Sequence, residues 1–331
     1  MEKSILGRTG LEVTRLGMGG AFVVSRFAEK EDARDAVHRA VALGVNYVDT
    51  APGYSNSEEV LGFCMEDLAE PMILSTKFGG RPQPFEPQSR DCLMQSLEES
   101  LRLLGRDYID MLIVHEPERP GMYDWWTNWE DVEGPVLELL GELKDQGVIG
   151  HIGLGGTTAY EMAHLIRSGK FDVVLTAFNY SILWREAAIE VIPEAKKQSM
   201  GIIVGSPLQQ GGLARCYHEA VNDPPGWLSK PRVEQLKKLY AFVDECGISL
   251  PELALRWVLS NRDVHTTLMG ARSVEEVELN VAAAEQGALS DDILQRLDEI
   301  AAEVPFRPYG EPFGMMKLQD PHAYKGPGRA S

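Results

Sequence analysis

Residues 15 to 284 alternate between short β-prone runs and longer stretches with apolar residues at helical spacing, and the alternation completes eight rounds. Arg15–Gly19, Asn46–Asp49, Met72–Lys77, Tyr108–His115, His151–Leu154, Val173–Phe178, Ile202–Val204 and Thr266–Met269 read as strands. Helices are expected after them at Glu31–Leu43, Glu58–Asp67, Ser89–Leu104, Asp131–Gln146, Ala159–Ser168, Glu186–Gln198, Val233–Cys246 with Pro251–Ser260, and Val274–Ala284. Strands separated by helices need crossover connections and therefore run parallel. Eight such units can close into a barrel ringed by helices. An open doubly wound sheet competes, but Gly17-Met18-Gly19-Gly20 after the first strand lacks the spacing of a dinucleotide-binding glycine fingerprint. The expected fold is α/β, a (β/α)8 TIM barrel. An N-terminal β-hairpin precedes it in residues 1–16, and an extra C-terminal helix, Ser290–Ala302, follows with a tail over the barrel at 304–331. Residues 1–331 read as a single domain of this kind.

A formal net charge of −18 argues against nucleic-acid binding or attachment to an anionic membrane, both of which need a cationic surface. Cys64, Cys92, Cys216 and Cys246 lie too far apart for a zinc ribbon or a disulfide scaffold, so reduced thiols and no metal are expected. The start of the chain lacks the apolar stretch of a signal peptide, and no run approaches the ~20 apolar residues of a membrane span. A cytoplasmic protein is expected, and a homo-oligomer is compatible with the sequence.

Four polar residues stand where expected strands end or just beyond: Asp49 and Tyr54 after the second, Lys77 at the third and His115 at the fourth. In a barrel those ends converge on the active face. Together they suit proton transfer at a carbonyl. Hydride delivered to the carbon leaves charge on oxygen, which needs an acid nearby. A tyrosine, with an ordinary pKa of about 10, needs help to give and take a proton near neutrality. An adjacent Lys77 ammonium favours the phenolate, Asp49 keeps the lysine charged and oriented, and His115 completes the pocket or relays the proton.

The stretch Tyr47-Val48-Asp49-Thr50-Ala51-Pro52-Gly53-Tyr54 resembles the motif of the aldo-keto reductase superfamily. Ser75-Thr76-Lys77 and Leu112-Ile113-Val114-His115 resemble its partner segments, in the same order, and the likeness runs from Leu6-Gly7-Arg8-Thr9-Gly10-Leu11 through Asn280. The resemblance implies an NAD(P)(H)-dependent oxidoreductase that interconverts carbonyl and alcohol, an aldose or related sugar among its candidate substrates, with Asp49, Tyr54, Lys77 and His115 as the catalytic set. A cofactor-binding regulatory protein and a redox-neutral epimerase or lyase on the same barrel are the alternatives.

The resemblance also implies a cofactor site. Ser206, Pro207, Leu208, Gln209 and Gly211 belong to a loop like the one that crosses the pyrophosphate. Gly270, Ala271, Arg272, Glu276 and Asn280 belong to a segment like the one that holds the adenosine phosphate. Three positions depart from the common pattern: Gly155-Gly156 replaces the Ser-Asn pair that holds the nicotinamide amide in many relatives, and Gly205 replaces an aromatic residue that stacks on the ring. Asn179 and Trp184 are candidates to compensate. Arg272 suits a 2′-phosphate whereas Glu276 opposes one, and the balance leans slightly to NADP(H) over NAD(H). An aromatic loop after His115 offers Tyr123, Trp125, Trp126 and Trp129 as a substrate-binding platform for a sugar. The tail residues Phe306, Tyr309, Phe313, Met315 and Met316 resemble the segment that closes the substrate pocket.

Overall fold

The computed structural model describes residues 1–23, 29–308, 310–312, 318 and 320. Tyr309, Phe313, Met315 and Met316 lie outside the described residues. At the start of the chain, β1 (Lys3–Ile5) and β2 (Glu12–Thr14) make the antiparallel hairpin. Eight further strands form a closed parallel barrel: β3 (Leu16–Gly19), β4 (Tyr47–Asp49), β5 (Ile73–Phe78), β6 (Ile109–His115), β7 (Ile149–Gly156), β8 (Val173–Ala177), β9 (Gly201–Gly205) and β10 (Thr266–Met269). Each barrel strand pairs with its sequence neighbour, and β10 closes the ring by pairing Met269 with Met18 of β3.

Side chains alternate across the barrel wall because a strand has period two. Along β6, Met111 and Ile113 face inward and share a buried cluster with Tyr47, Leu175, Ile203 and Leu268, whereas Leu112 and Val114 face the helices. The hairpin seals the end of the barrel where the strands begin. Leu6 is fully buried in the inward cluster, a contribution of about 1.5–3 kcal/mol. Gly7, at φ 50°, lies so close to Met200 that a Cβ would come 2.5 Å from its carbonyl oxygen. The opposite end, where strands finish, is left for the site.

Around the barrel run α1 (Lys30–Ala42), α2 (Ser57–Met65), α3 (Arg90–Leu104), α4 (Pro135–Asp145), α5 (Ala159–Arg167) and α6 (Val191–Lys197). The short α7 (His218–Asn222) and the long α8 (Lys230–Cys246) come next, and α9 (Leu250–Ser260), α10 (Val274–Glu285) and α11 (Asp291–Ala302) complete the set. Local chemistry sets the ends: Ser89 accepts from the Cys92 N–H to open α3, and Gly105, at φ 64°, closes it.

Among the differences from expectation, three have a local cause. The fourth helix starts at Pro135 rather than Asp131, because residues 128–133 turn back on themselves through an Asn128–Glu133 bridge, and proline suits the first helical position. The expected Glu186–Gln198 helix is broken into a turn at Glu186–Ala188 and the helix α6, which places Pro193 in a first turn where its missing N–H is not needed. The short α7 carries too few residues to leave a periodic trace. No helix among the described residues is long and apolar enough to cross a membrane.

Candidate active site

Register brings the expected catalytic set together. Asp49 ends β4 opposite Ser75 of β5, and Lys77, two residues on, points to the same inward face. Lys77 is buried, and its Nζ donates to Asp49 Oδ2 at 2.7 Å and to the Thr50 carbonyl at 2.6 Å. The other Asp49 oxygen accepts from Ser75 Oγ at 2.6 Å, and Ser75 in turn lies 2.8 Å from the Tyr47 hydroxyl. Both Asp49 oxygens are therefore held by buried donors.

Tyr54 sits in the turn between β4 and α2, where its N–H bonds to Ala51 and its carbonyl accepts from Ser57. Lys77 Nζ lies 4.7 Å from the Tyr54 ring centre. His115, at the end of β6, meets the same ring edge-on at 5.7 Å. Burial works against the Lys77 ammonium, yet Asp49, Tyr54 and the hydrogen bonds to both outweigh it and hold its pKa above the ordinary value. Burial also pushes the Tyr54 phenol above its usual range; Lys77 pulls in the opposite direction without overcoming it. The expected lowering of the tyrosine by lysine is thus present as a force but not as the net direction in the protein alone. Burial, reinforced by the charges of Lys77 and Arg119, drives His115 down to about 3, so the imidazole is neutral at neutral pH. Its Nδ1 is buried with no hydrogen-bond partner among the described residues.

Two carboxyl groups beyond His115 escaped the sequence reading. Glu116 has a left-handed backbone, φ 48°, and its Oε2 accepts from Thr157 Oγ1 at 2.6 Å and Arg119 at 3.3 Å. Glu118 is buried, and its Oε1 accepts from the N–H groups of Thr157 and Thr158 at 2.5 and 2.7 Å. Burial, reinforced by the neighbouring Glu116 charge, raises Glu118 to about 7. The Glu118 carboxyl occupies the space a side chain at position 156 would need: a Cβ on Gly156 would lie 2.5 Å from its carboxyl carbon. Half of the Gly155-Gly156 departure thereby gains a steric reason. On Gly155 a Cβ would point inward, 3.8 Å from Lys77 Cε and 2.9 Å from Ile113.

The aromatic loop does not form the expected platform. Trp125 is fully buried and donates through Nε1 to the His115 carbonyl at 3.0 Å, and Trp126, also buried, donates to the Pro117 carbonyl at 2.7 Å. Trp129 stacks on His164 at 4.9 Å, beside α5. A long loop needs an apolar interior of its own, and these indoles supply it while their N–H groups satisfy backbone carbonyls. Tyr123 is half-buried, with its ring 6.5 Å from that of His115.

The cofactor candidates flank the same end of the barrel. Ser206, at φ 54°, follows β9, and Pro207, Leu208 and Gly211 continue the loop. The Gln209 side chain is fully buried and donates to the Phe178 carbonyl at 3.1 Å and Ser181 at 3.0 Å, so it ties the loop to the end of β8, and its Oε1 has no partner among the described residues. Asn179 donates to the Thr157 carbonyl at 2.8 Å. Trp184 is enclosed between the guanidinium groups of Arg232 and Arg307, each 4.8 Å from its ring, and is not placed to compensate for the missing stacking residue.

After β10, Gly270 is exposed and packs so tightly that a Cβ would lie 2.7 Å from the Phe22 ring, and the Ala271 side chain is buried, leaving backbone to face outward. Arg272 pairs with Glu276 at 2.6 Å, and Glu276 also accepts from the Arg272 N–H at 2.8 Å. Ser273 caps α10, and Asn280 donates to the Glu276 carbonyl one turn back. The exposed glycine backbone, the capped helix start and the orphaned Gln209 oxygen fit a dinucleotide at this end of the barrel. Phe306, from the tail, is exposed.

Comparison with known proteins agrees with this geometry. The aldo/keto reductase family profile matches residues 15–302. L-galactose dehydrogenase of Arabidopsis thaliana is 30% identical over 297 residues, covering 86% of this chain and 88% of that protein. The NADH-specific methylglyoxal reductase of Escherichia coli K12 is 28% identical over 318 residues, covering 86% and 93%. Among solved structures, the holo form of an aldo-keto reductase from Bacillus halodurans superposes with a TM-score of 0.74 at 26% identity, covering 94% of this chain and all of the other. With the closed parallel barrel and its sealed base, these matches establish that the chain belongs to the aldo/keto reductase family.

Proposed function

We propose that the protein is a reversible, NAD(H)-preferring oxidoreductase of hydroxylated carbonyl compounds, with Tyr54 as its general acid and base. The observation that carries the proposal is the buried Asp49–Lys77 pair set beneath the Tyr54 ring with a neutral His115 against its edge. A bound nicotinamide supplies or accepts the hydride. Tyr54 handles the matching proton: as the carbonyl carbon gains hydride and the π pair moves to oxygen, the phenol protonates that oxygen, and in reverse the phenolate takes the alcohol proton. Lys77 stabilises the phenolate, Asp49 keeps Lys77 charged, and neutral His115 hydrogen-bonds the reacting oxygen without adding a charge.

Cofactor preference follows from Arg272. Its guanidinium is already paired with Glu276, so a 2′-phosphate would have to displace a carboxylate and then lie beside it. A ribose hydroxyl can instead donate to Glu276. The pairing favours NAD(H) over the NADP(H) to which the sequence leaned, and the NADH-specific relative from Escherichia coli is consistent with that preference. The galactose-oxidising relative supports a hydroxylated substrate.

The test is a panel of aldoses and small carbonyls with all four nicotinamide cofactors, following absorbance and products. Turnover with NAD(H) at least tenfold better than with NADP(H) is expected, and Tyr54→Phe should lose about 10²–10⁴-fold in kcat while binding cofactor normally. Product without net cofactor change would favour the redox-neutral alternative, and tight cofactor binding with no turnover the regulatory one.

A further inference from the structure

We infer that Glu116, clamped by Thr157 and Arg119, selects substrates that carry a hydroxyl beside the reacting carbon, by accepting a hydrogen bond from that hydroxyl at Oε1. The inference rests on the oxidoreductase reading and names a specificity residue within it.

Glu116 is the residue after His115, and its N–H bonds to the Gly155 carbonyl at 2.7 Å. The left-handed backbone, φ 48°, is unfavourable for a glutamate and turns the chain out of β6 at the rim of the site. Thr157 and Arg119 both bind Oε2. Oε1 has no hydrogen-bond partner among the described residues, although the side chain is only 10% exposed. The residue directly follows His115, whose ring lies 5.7 Å from that of Tyr54 and 6.5 Å from that of Tyr123. Arg119, half-exposed, carries further N–H groups beside it, and its charge reaches His115.

The rim of the site therefore presents a fixed acceptor next to a donor. Neighbouring hydroxyls on a sugar, each able to donate and accept, match that pair. A compact dicarbonyl such as methylglyoxal offers only acceptors and cannot use Glu116. An anionic substrate would be repelled by it. Glu118 does not share this role, since its free oxygen is enclosed and its other oxygen is tied to backbone N–H groups.

The experiment compares wild type, Glu116→Gln and Glu116→Ala with L-galactose and methylglyoxal as probes at saturating NAD(H), alongside cofactor Kd and Tm. The ratio of kcat/KM for the sugar to that for methylglyoxal should fall at least tenfold in Glu116→Ala, mainly through KM, and less in Glu116→Gln, which keeps an acceptor oxygen. Cofactor Kd should change less than twofold. Equal loss with both substrates, or no change in the ratio, would overturn the assignment and leave Glu116 as a loop staple. A wild type that reduces methylglyoxal but does not process the sugar would overturn it too, with the oxidoreductase reading intact. Should neither compound turn over, the oxidoreductase reading is left to the full panel, and calorimetric binding of the sugar decides this assignment: undiminished binding by Glu116→Ala refutes the contact.

Discussion

Adding one methyl group at Gly156 should disable a carboxyl group across the loop. In Gly156→Ala the new Cβ falls 2.5 Å from the Glu118 carboxyl carbon and 2.5 Å from Oε1, well inside van der Waals contact. The group cannot move aside without releasing the N–H groups of Thr157 and Thr158, which open α5. Below its pKa of about 7 the Glu118 carboxyl group is neutral, and two backbone hydrogen bonds at about 0.5–1.5 kcal/mol each should be worth about 1–3 kcal/mol together. Glu118→Ala removes the same two bonds without the clash and should lose a similar amount. In the double variant the methyl added at position 156 enters space already vacated, so the second change should add little to the first. Urea unfolding at about pH 5.5, where Glu118 is neutral, measures the cycle. A coupling energy of about 1 kcal/mol or more is expected, and additivity within about 0.5 kcal/mol would show that the glycine is not there to admit the carboxyl group.

Lys77→Met should move the alkaline limb of the kcat profile to higher pH, because the phenol loses its cation, and should cost about 3–5 kcal/mol of stability by leaving Asp49 buried and unpaired. An unchanged pH profile, or a stability that Asp49→Asn fails to restore in the double variant, would count against the pair. Glu276→Gln should tighten NADP(H) more than NAD(H) by freeing Arg272, and equal effects in fluorescence titrations would remove the pair from cofactor choice. Stability should respond to pH in opposite senses at two buried groups. His115, depressed to about 3, loses stability as pH falls below about 6.5, whereas Glu118, raised to about 7, loses it as pH rises from about 4.5. Glu118→Gln should therefore steepen the rise of stability with pH between about 4.5 and 6.5 by up to about 1.4 kcal/mol per unit, and parallel curves would contradict the opposition.

The barrel was legible because each strand and helix repeats its own period, and the site because four chemical types fell at strand ends that any such barrel gathers. Ser75, the support of Asp49, was within reach of the same logic, since it shares the inward face with Lys77. The fate of the aromatic loop was not legible: Trp125 and Trp126 look the same in sequence whether they line a pocket or fill the loop, and only the distance from indole N–H to a backbone carbonyl separates the two. Nor could Gly156 be read, because its meaning lies in the carboxyl group of Glu118, on the loop that leaves a different strand. Arg272 was read as a phosphate ligand by its charge, and the structure shows that charge already engaged by Glu276, one helical turn on.

The bond from the Trp125 indole to the His115 carbonyl gives the loop a second job, that of a mount for the histidine. With Trp126 hung from Pro117, the segment is bolted to the strand end at two neighbouring points, whereas Pro120, Gly121 and Met122 between them are exposed. The chain is therefore free to vary within that exposed turn without disturbing the mount. A graft that runs on through Trp125 would unseat the residue it was meant to serve.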